Sequence, residues 1–94
     1  PAFYERTDLS LSRPVAKDEM TKFLTEQAPA EIGGQKVDEI SQRDGVKYIM
    51  ADDSWLLIRP SGTEPVLRVY AEGRTQEMVK ALLGYGEKVA ERVV

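Results

Sequence analysis

The chain has 94 residues, with 13 Lys and Arg against 16 Asp and Glu, a formal net charge of -3, no histidine and no cysteine. That length makes one domain with a modest core. The inventory excludes disulfides, zinc sites, thiol nucleophiles and imidazole acid–base chemistry, and the mild acidity without a basic block argues against a nucleic-acid partner.

The first residues, Pro1-Ala2-Phe3-Tyr4-Glu5-Arg6, hold no initiating Met and no basic region leading into an apolar run. They read as a cut end rather than a signal peptide, so the chain is expected to be a fragment of something longer. Phe3 to Leu11 is loosely extended, and Ser12-Arg13-Pro14 punctuates it. A helix is predicted over about Val15 to Ala28. Pro14 suits its first turn, and Val15, Met20, Phe23, Leu24 and Ala28 recur at helical spacing up to Pro29.

Gly33-Gly34 closes the next connection, and Val37 and Ile40 lie in a polar segment that fits an outer strand running to Gln42. Asp44-Gly45 is a hairpin turn into a second strand, Val46 to Ala51. Asp52-Asp53 reads as a solvated turn, not a metal pair, since two adjacent acids lack further ligands at suitable spacing. Ser54 to Arg59 carries the run Trp-Leu-Leu-Ile, apolar on both faces, and Val66 to Glu72 is similar. Both read as central strands, with Trp55 and Tyr70 in the core.

After Gly73, with Thr75 as N-cap, the stripe Met78, Val79, Leu82, Leu83, Val89, Ala90 and Val93 makes an amphipathic helix. Gly84 and Gly86 interrupt it, marking either close packing or a local weakness. Glu5, Asp8, Asp18, Glu19, Glu91 and Arg92 read as surface charge. The fold class is α+β, an antiparallel sheet of about four strands with helices on one face. Apolar stretches such as Trp55 to Ile58 are far short of the ~20 residues that span a bilayer, so no membrane partner is expected.

Chemistry concentrates in Arg59-Pro60-Ser61-Gly62-Thr63-Glu64-Pro65, which joins the two central strands. A glycine between two hydroxyl residues lets backbone N–H groups converge on one point, and the prolines restrict the loop in advance. Arg59 at the entry and Arg68 on the exit strand supply planar donors that match phosphate oxygens in pairs. One such charge pair at ~4 Å in an effective dielectric near 20 is attracted by about 4 kcal/mol before desolvation. Composition alone leaves two readings open: a phosphate nest, or a rigid turn with solvated arginines and hydroxyls capping local backbone.

The run Arg59 to Pro65, continued by Leu67-Arg68-Val69-Tyr70-Ala71-Glu72-Gly73, resembles the signature of the last domain of the phosphohexomutase superfamily, which includes phosphoglucomutase and phosphomannomutase. The resemblance implies a TATA-binding-protein-like fold and makes residues 1–94 the C-terminal phosphate-binding domain of a cytoplasmic mutase. It implies that Arg59, Ser61, Gly62 and Thr63, with Arg68, hold the phosphate of the sugar that is not being transferred. Glu64 belongs to the signature, and because a carboxylate repels phosphate it is expected to pair with an arginine or to fix the loop.

The resemblance further implies a phosphosugar substrate, with phosphate moved intramolecularly on a hexose as in phosphoglucomutase or phosphomannomutase in preference to an amino sugar, preceding domains of a parent chain as partners, and magnesium in that parent but no cofactor in this domain. The phosphoserine loop, the Asp-Gly-Asp-Gly-Asp magnesium run and the sugar-reading Gly-Glu loop of such enzymes are missing here, so this chain alone is expected to be inactive. The competing expectation is a freestanding phosphate-binding or protein-interaction module.

Overall fold

Along the central strands burial alternates with period two, and that alternation sets the architecture. In the computed structural model, which describes residues 2–93, the elements are β1 (Phe3–Ser10), α1 (Lys17–Glu26), β2 (Glu31–Ile32), β3 (Gln35–Ser41), β4 (Val46–Met50), β5 (Trp55–Pro60), β6 (Val66–Gly73) and α2 (Gln76–Val93). They form one antiparallel six-stranded sheet in the order β1-β6-β5-β4-β3-β2. Val46, Tyr48 and Met50 of β4, Leu56 and Ile58 of β5, and Leu67, Val69 and Ala71 of β6 are buried beneath the helices. Each fully buried aliphatic side chain contributes about 1.5–3 kcal/mol. The helices share that one face, α1 against β4 and β5, α2 mainly against β6 and β1.

The α+β class and the one-sided helices agree with the sequence reading; the sheet is wider than the expected four strands. Phe3–Ser10 is a full edge strand, registered with β6 from Phe3↔Gly73 to Ser10↔Val66. Gly33-Gly34 does more than close a connection, because it is the turn of a short hairpin between β2 and β3.

Helix α1 starts at Lys17, later than expected. Val15, 1% exposed, enters the core from extended chain, and Ala16 at φ -65°, ψ 147° is the N-cap. The first turn carries Asp18 and Glu19, favourable beside the positive end of the helix dipole.

Three polar contacts fasten the helices. The Tyr48 hydroxyl donates to the Leu24 carbonyl, the Tyr85 hydroxyl to the Gln27 carbonyl at 3.3 Å, and the Thr75 Oγ1 accepts the Met78 N–H at 3.0 Å, as an N-cap should. The two interrupting glycines differ. A Cβ on Gly86 would lie 3.0 Å from the Val69 Cγ1, so that glycine marks close packing, whereas one on Gly84 would meet nothing within 4 Å. Among the described residues no helix is long and apolar enough to cross a membrane.

Candidate functional site

Strands β5 and β6 present their other side chains on the face that the helices leave open. Arg59 and Arg68 lie directly opposite each other there as cross-strand partners, each with its side chain 38% exposed. Residues 61–65 connect the two strands just beyond them. The Ser61 N–H donates to the Val66 carbonyl at 3.1 Å and the Val66 N–H to the Glu64 carbonyl at 2.8 Å. The Leu11 N–H donates to the Pro65 carbonyl at 2.7 Å and ties the loop to the chain leaving β1.

Gly62 stands at φ +87°, a left-handed conformation that an L side chain rarely adopts. Among the described residues neither the Gly62 nor the Thr63 N–H has a protein acceptor, so both donors are free at the exposed tip. The Ser61 N–H is not, being spent on closing the loop. The Ser61 Oγ accepts a long bond from the Glu64 N–H at 3.4 Å. No ion pair among the described residues involves Glu64; of its two expected roles, only fixing the loop through its backbone is seen.

Both arginines already hold carboxylates. The Asp44-Gly45 turn sits at the same end of the sheet as the loop and presses onto β5. A Cβ on Gly45 would lie 2.6 Å from the Ile58 carbonyl oxygen and 3.0 Å from the Arg59 Cβ. That approach, which glycine allows, leaves the Asp44 Oδ2 2.7 Å from the Arg59 Nη1. The Arg68 Nη1 lies 3.4 Å from the Asp8 Oδ2.

Arg59 has a second contact. Its Nη2 donates to the Tyr70 hydroxyl at 3.0 Å, and its guanidinium carbon is 5.5 Å from the centre of the Tyr70 ring. Tyr70 first, then Asp44, push the Arg59 pKa above its ordinary value, so its charge is constant at working pH.

Tyr70 and Trp55 are therefore not in the core beneath the helices, contrary to the sequence reading. Period two puts both on the open face, half-buried, where the Lys47 Nζ lies 4.5 Å from the Trp55 ring centre and the Tyr4 ring 6.2 Å away. Tyr70, Asp44 and Asp8 were missed as parts of the site. Tyr70 follows Arg68 by two residues and so shares its face, a signal present in the sequence; the Asp44 and Asp8 contacts depend on tertiary approach.

At the opposite end of the sheet, Asp52-Asp53 forms a turn in which the Asp52 Oδ1 accepts the Ser54 N–H at 2.9 Å. Arg74 steadies it through the Asp52 carbonyl, 2.7 Å from its Nε. Among the described residues no three acidic side chains gather as a metal site would require.

A family model described as "Phosphoglucomutase/phosphomannomutase, C-terminal domain" matches residues 15–84. A probable phosphoglucosamine mutase of Methanothermobacter thermautotrophicus is 38% identical over 77% of this chain and 17% of its own length. A phosphoglucomutase/phosphomannomutase of Thermococcus kodakarensis is 38% identical over 69% of this chain and 14% of its own. A phosphopentomutase of the same organism is 30% identical over 100% of this chain and 21% of its own. The chain thus spans about a fifth or less of these curated relatives.

Proposed function

The chain belongs to the family of phosphoglucomutase/phosphomannomutase C-terminal domains, and from that premise we propose that it grips the non-transferred phosphate of a phosphosugar inside a cytoplasmic parent mutase. Arg59 and Arg68 supply charge, and the Gly62 and Thr63 N–H groups with the Ser61 and Thr63 hydroxyls supply further donors. The observation that carries this reading is the pairing of two arginines across adjacent strands, at the end where a loop with free tip N–H groups joins those strands. Two guanidinium groups suit a dianion, and donors already fixed on strands lose little freedom on binding.

The grip positions the ligand and does not react. Holding the distal phosphate spends binding energy on orienting the reacting end, which lies with the parent's preceding domains, where magnesium also acts. By itself the chain is inactive. The relatives are named for mutases of an amino sugar, of hexoses and of a pentose, yet align with this one domain. A site that reads phosphate and leaves the sugar to other domains accounts for that breadth, and gives no ground for preferring a hexose over an amino sugar.

The test is to record amide shifts while titrating inorganic phosphate and then glucose 1-phosphate at constant ionic strength. Shifts centred on Ser61, Gly62 and Thr63, abolished by Arg59→Ala, support the reading. A silent loop in a chain whose other amides report a folded domain refutes a preformed grip.

A further inference from the structure

Building on the phosphate-grip reading, we infer that Tyr70 is a positioning residue for Arg59 and that Asp44 is its exchangeable counter-ion, which a phosphate must displace. Arg59 is held on two sides by groups of different character. Tyr70 is half-buried in the middle of β6, and takes the Nη2 with its hydroxyl at 3.0 Å while its ring lies 5.5 Å from the guanidinium carbon. It carries no charge to compete with a ligand. Its strand is flanked by β5 and β1, so it stays in place when the site fills.

Asp44 differs in each respect. It lies in a turn, its side chain is 71% exposed, and it occupies the Nη1 that an incoming anion needs. Phosphate either drives Asp44 into solvent or binds beside it against repulsion. Both routes weaken affinity, since an exposed pair that must be broken and a like charge that must be endured both oppose binding. The carboxylate pairs with the Arg59 Nη1 at 2.7 Å. Asp8 stands in the same relation to Arg68 at 3.4 Å, a looser contact.

Two residues that touch one guanidinium group are thus assigned opposite signs, which a purely structural role would not produce. Asp44→Asn should tighten inorganic phosphate about two- to fivefold, the range that exposed pairs of this kind span. Tyr70→Phe keeps the ring and removes the acceptor, and should weaken phosphate by about three- to tenfold, within the range that loss of an ordinary hydrogen bond spans. Tyr70→Leu removes the ring as well and should weaken it further.

The experiment is a phosphate titration of the wild-type chain and these three variants by amide NMR, with the Arg59 side-chain Nε resonance followed in each. Opposite shifts in affinity, with the Arg59 Nε signal moved by Tyr70→Phe before any phosphate is added, support the assignment. If wild type binds and Arg59→Ala abolishes binding, but Tyr70→Phe and Asp44→Asn leave affinity unchanged or change it in the same direction, the assignment is overturned while the grip stands. If wild type shows no loop shifts, the grip and this assignment fall together. Were Tyr70→Leu to unfold, Tyr70→Phe, which preserves the packing, still decides.

Discussion

Replacing Gly62 with alanine separates backbone conformation from packing, because the added methyl meets nothing within 4 Å while φ stands at +87°. The cost is chiral strain alone. An L residue in left-handed backbone loses about 1–2 kcal/mol, and a stiffer unfolded chain returns about 0.4–1 kcal/mol. The net loss is about 1 kcal/mol. Gly84→Ala is the matched control: the same methyl also enters open space, but within α2, where alanine is favoured over glycine by about 1 kcal/mol. The two variants should differ by about 2 kcal/mol, with opposite signs relative to wild type. In urea, with a slope of about 1–1.5 kcal/mol per molar for a small domain, their midpoints separate by roughly 1–2 M. Circular dichroism reads both. Equal stability for wild type and Gly62→Ala would mean that the loop does not need left-handed backbone at that position, and the argument for free, convergent N–H groups at its tip would fail.

Gly86→Ala should forfeit the gain of Gly84→Ala, because its methyl presses on Val69 at 3.0 Å; a variant as stable as Gly84→Ala would show that the α2–β6 contact yields freely. Tyr48 gives a pH dependence. Burial pushes its pKa up from the ordinary 10.0, so the unfolded chain releases the proton at lower pH than the folded one. The sign follows: stability is full below pH 10 and falls as pH rises above it, as the unfolded state gains by ionising. Urea midpoints between pH 8 and 11 should show that fall in wild type and a weaker one in Tyr48→Phe. At neutral pH the same variant loses about 1–3 kcal/mol by orphaning the Leu24 carbonyl, and no loss there would mean that this carbonyl finds water.

The sequence carried the fold where local signals and burial agreed. Trp55 to Ile58 and Val66 to Tyr70 were readable as central strands because their apolar residues outnumber what one exposed face can hold. Their sidedness was misread for the same reason: Trp55 and Tyr70 are hydrophobic enough to pass as core, and only the one-sided placement of both helices shows which half of each strand stays open. The edge strands gave weaker signals. Phe3 to Ser10 has no clean alternation because it covers little apolar surface, and its strand character comes from pairing with β6. The start of α1 depended on Val15 filling a core position, a tertiary fact that helix propensity cannot contain. The loop itself was legible in full as a motif, since Gly and Pro write their backbone demands directly into sequence. Its counter-ions were not, because Asp44 reaches Arg59 only once the Asp44-Gly45 turn closes on β5, and Asp8 meets Arg68 only through the pairing of β1 with β6.

Placing Arg59 opposite Arg68 works against the fold, since like charges directly across a strand pair destabilise it by about 0.2–1 kcal/mol. Asp44 and Asp8 offset part of that, and a bound dianion would offset the rest. The consequence is measurable. Arg68→Thr removes the repulsion and one exposed ion pair, each about 0–1 kcal/mol, and leaves a good strand former, so stability without phosphate should stay within about 0.5 kcal/mol of wild type. With phosphate the two should part. At ten times its dissociation constant the ligand stabilises wild type by about 1.4 kcal/mol, and a variant bound tenfold more weakly by about 0.4 kcal/mol at the same concentration. For a domain of this size the difference is about 4–8 °C in Tm. Thermal melts with and without phosphate at matched ionic strength therefore read the grip without any enzymatic assay. Equal upshifts in wild type and Arg68→Thr would remove Arg68 from the site and leave the cross-strand pair as a cost to the fold with no ligand to justify it.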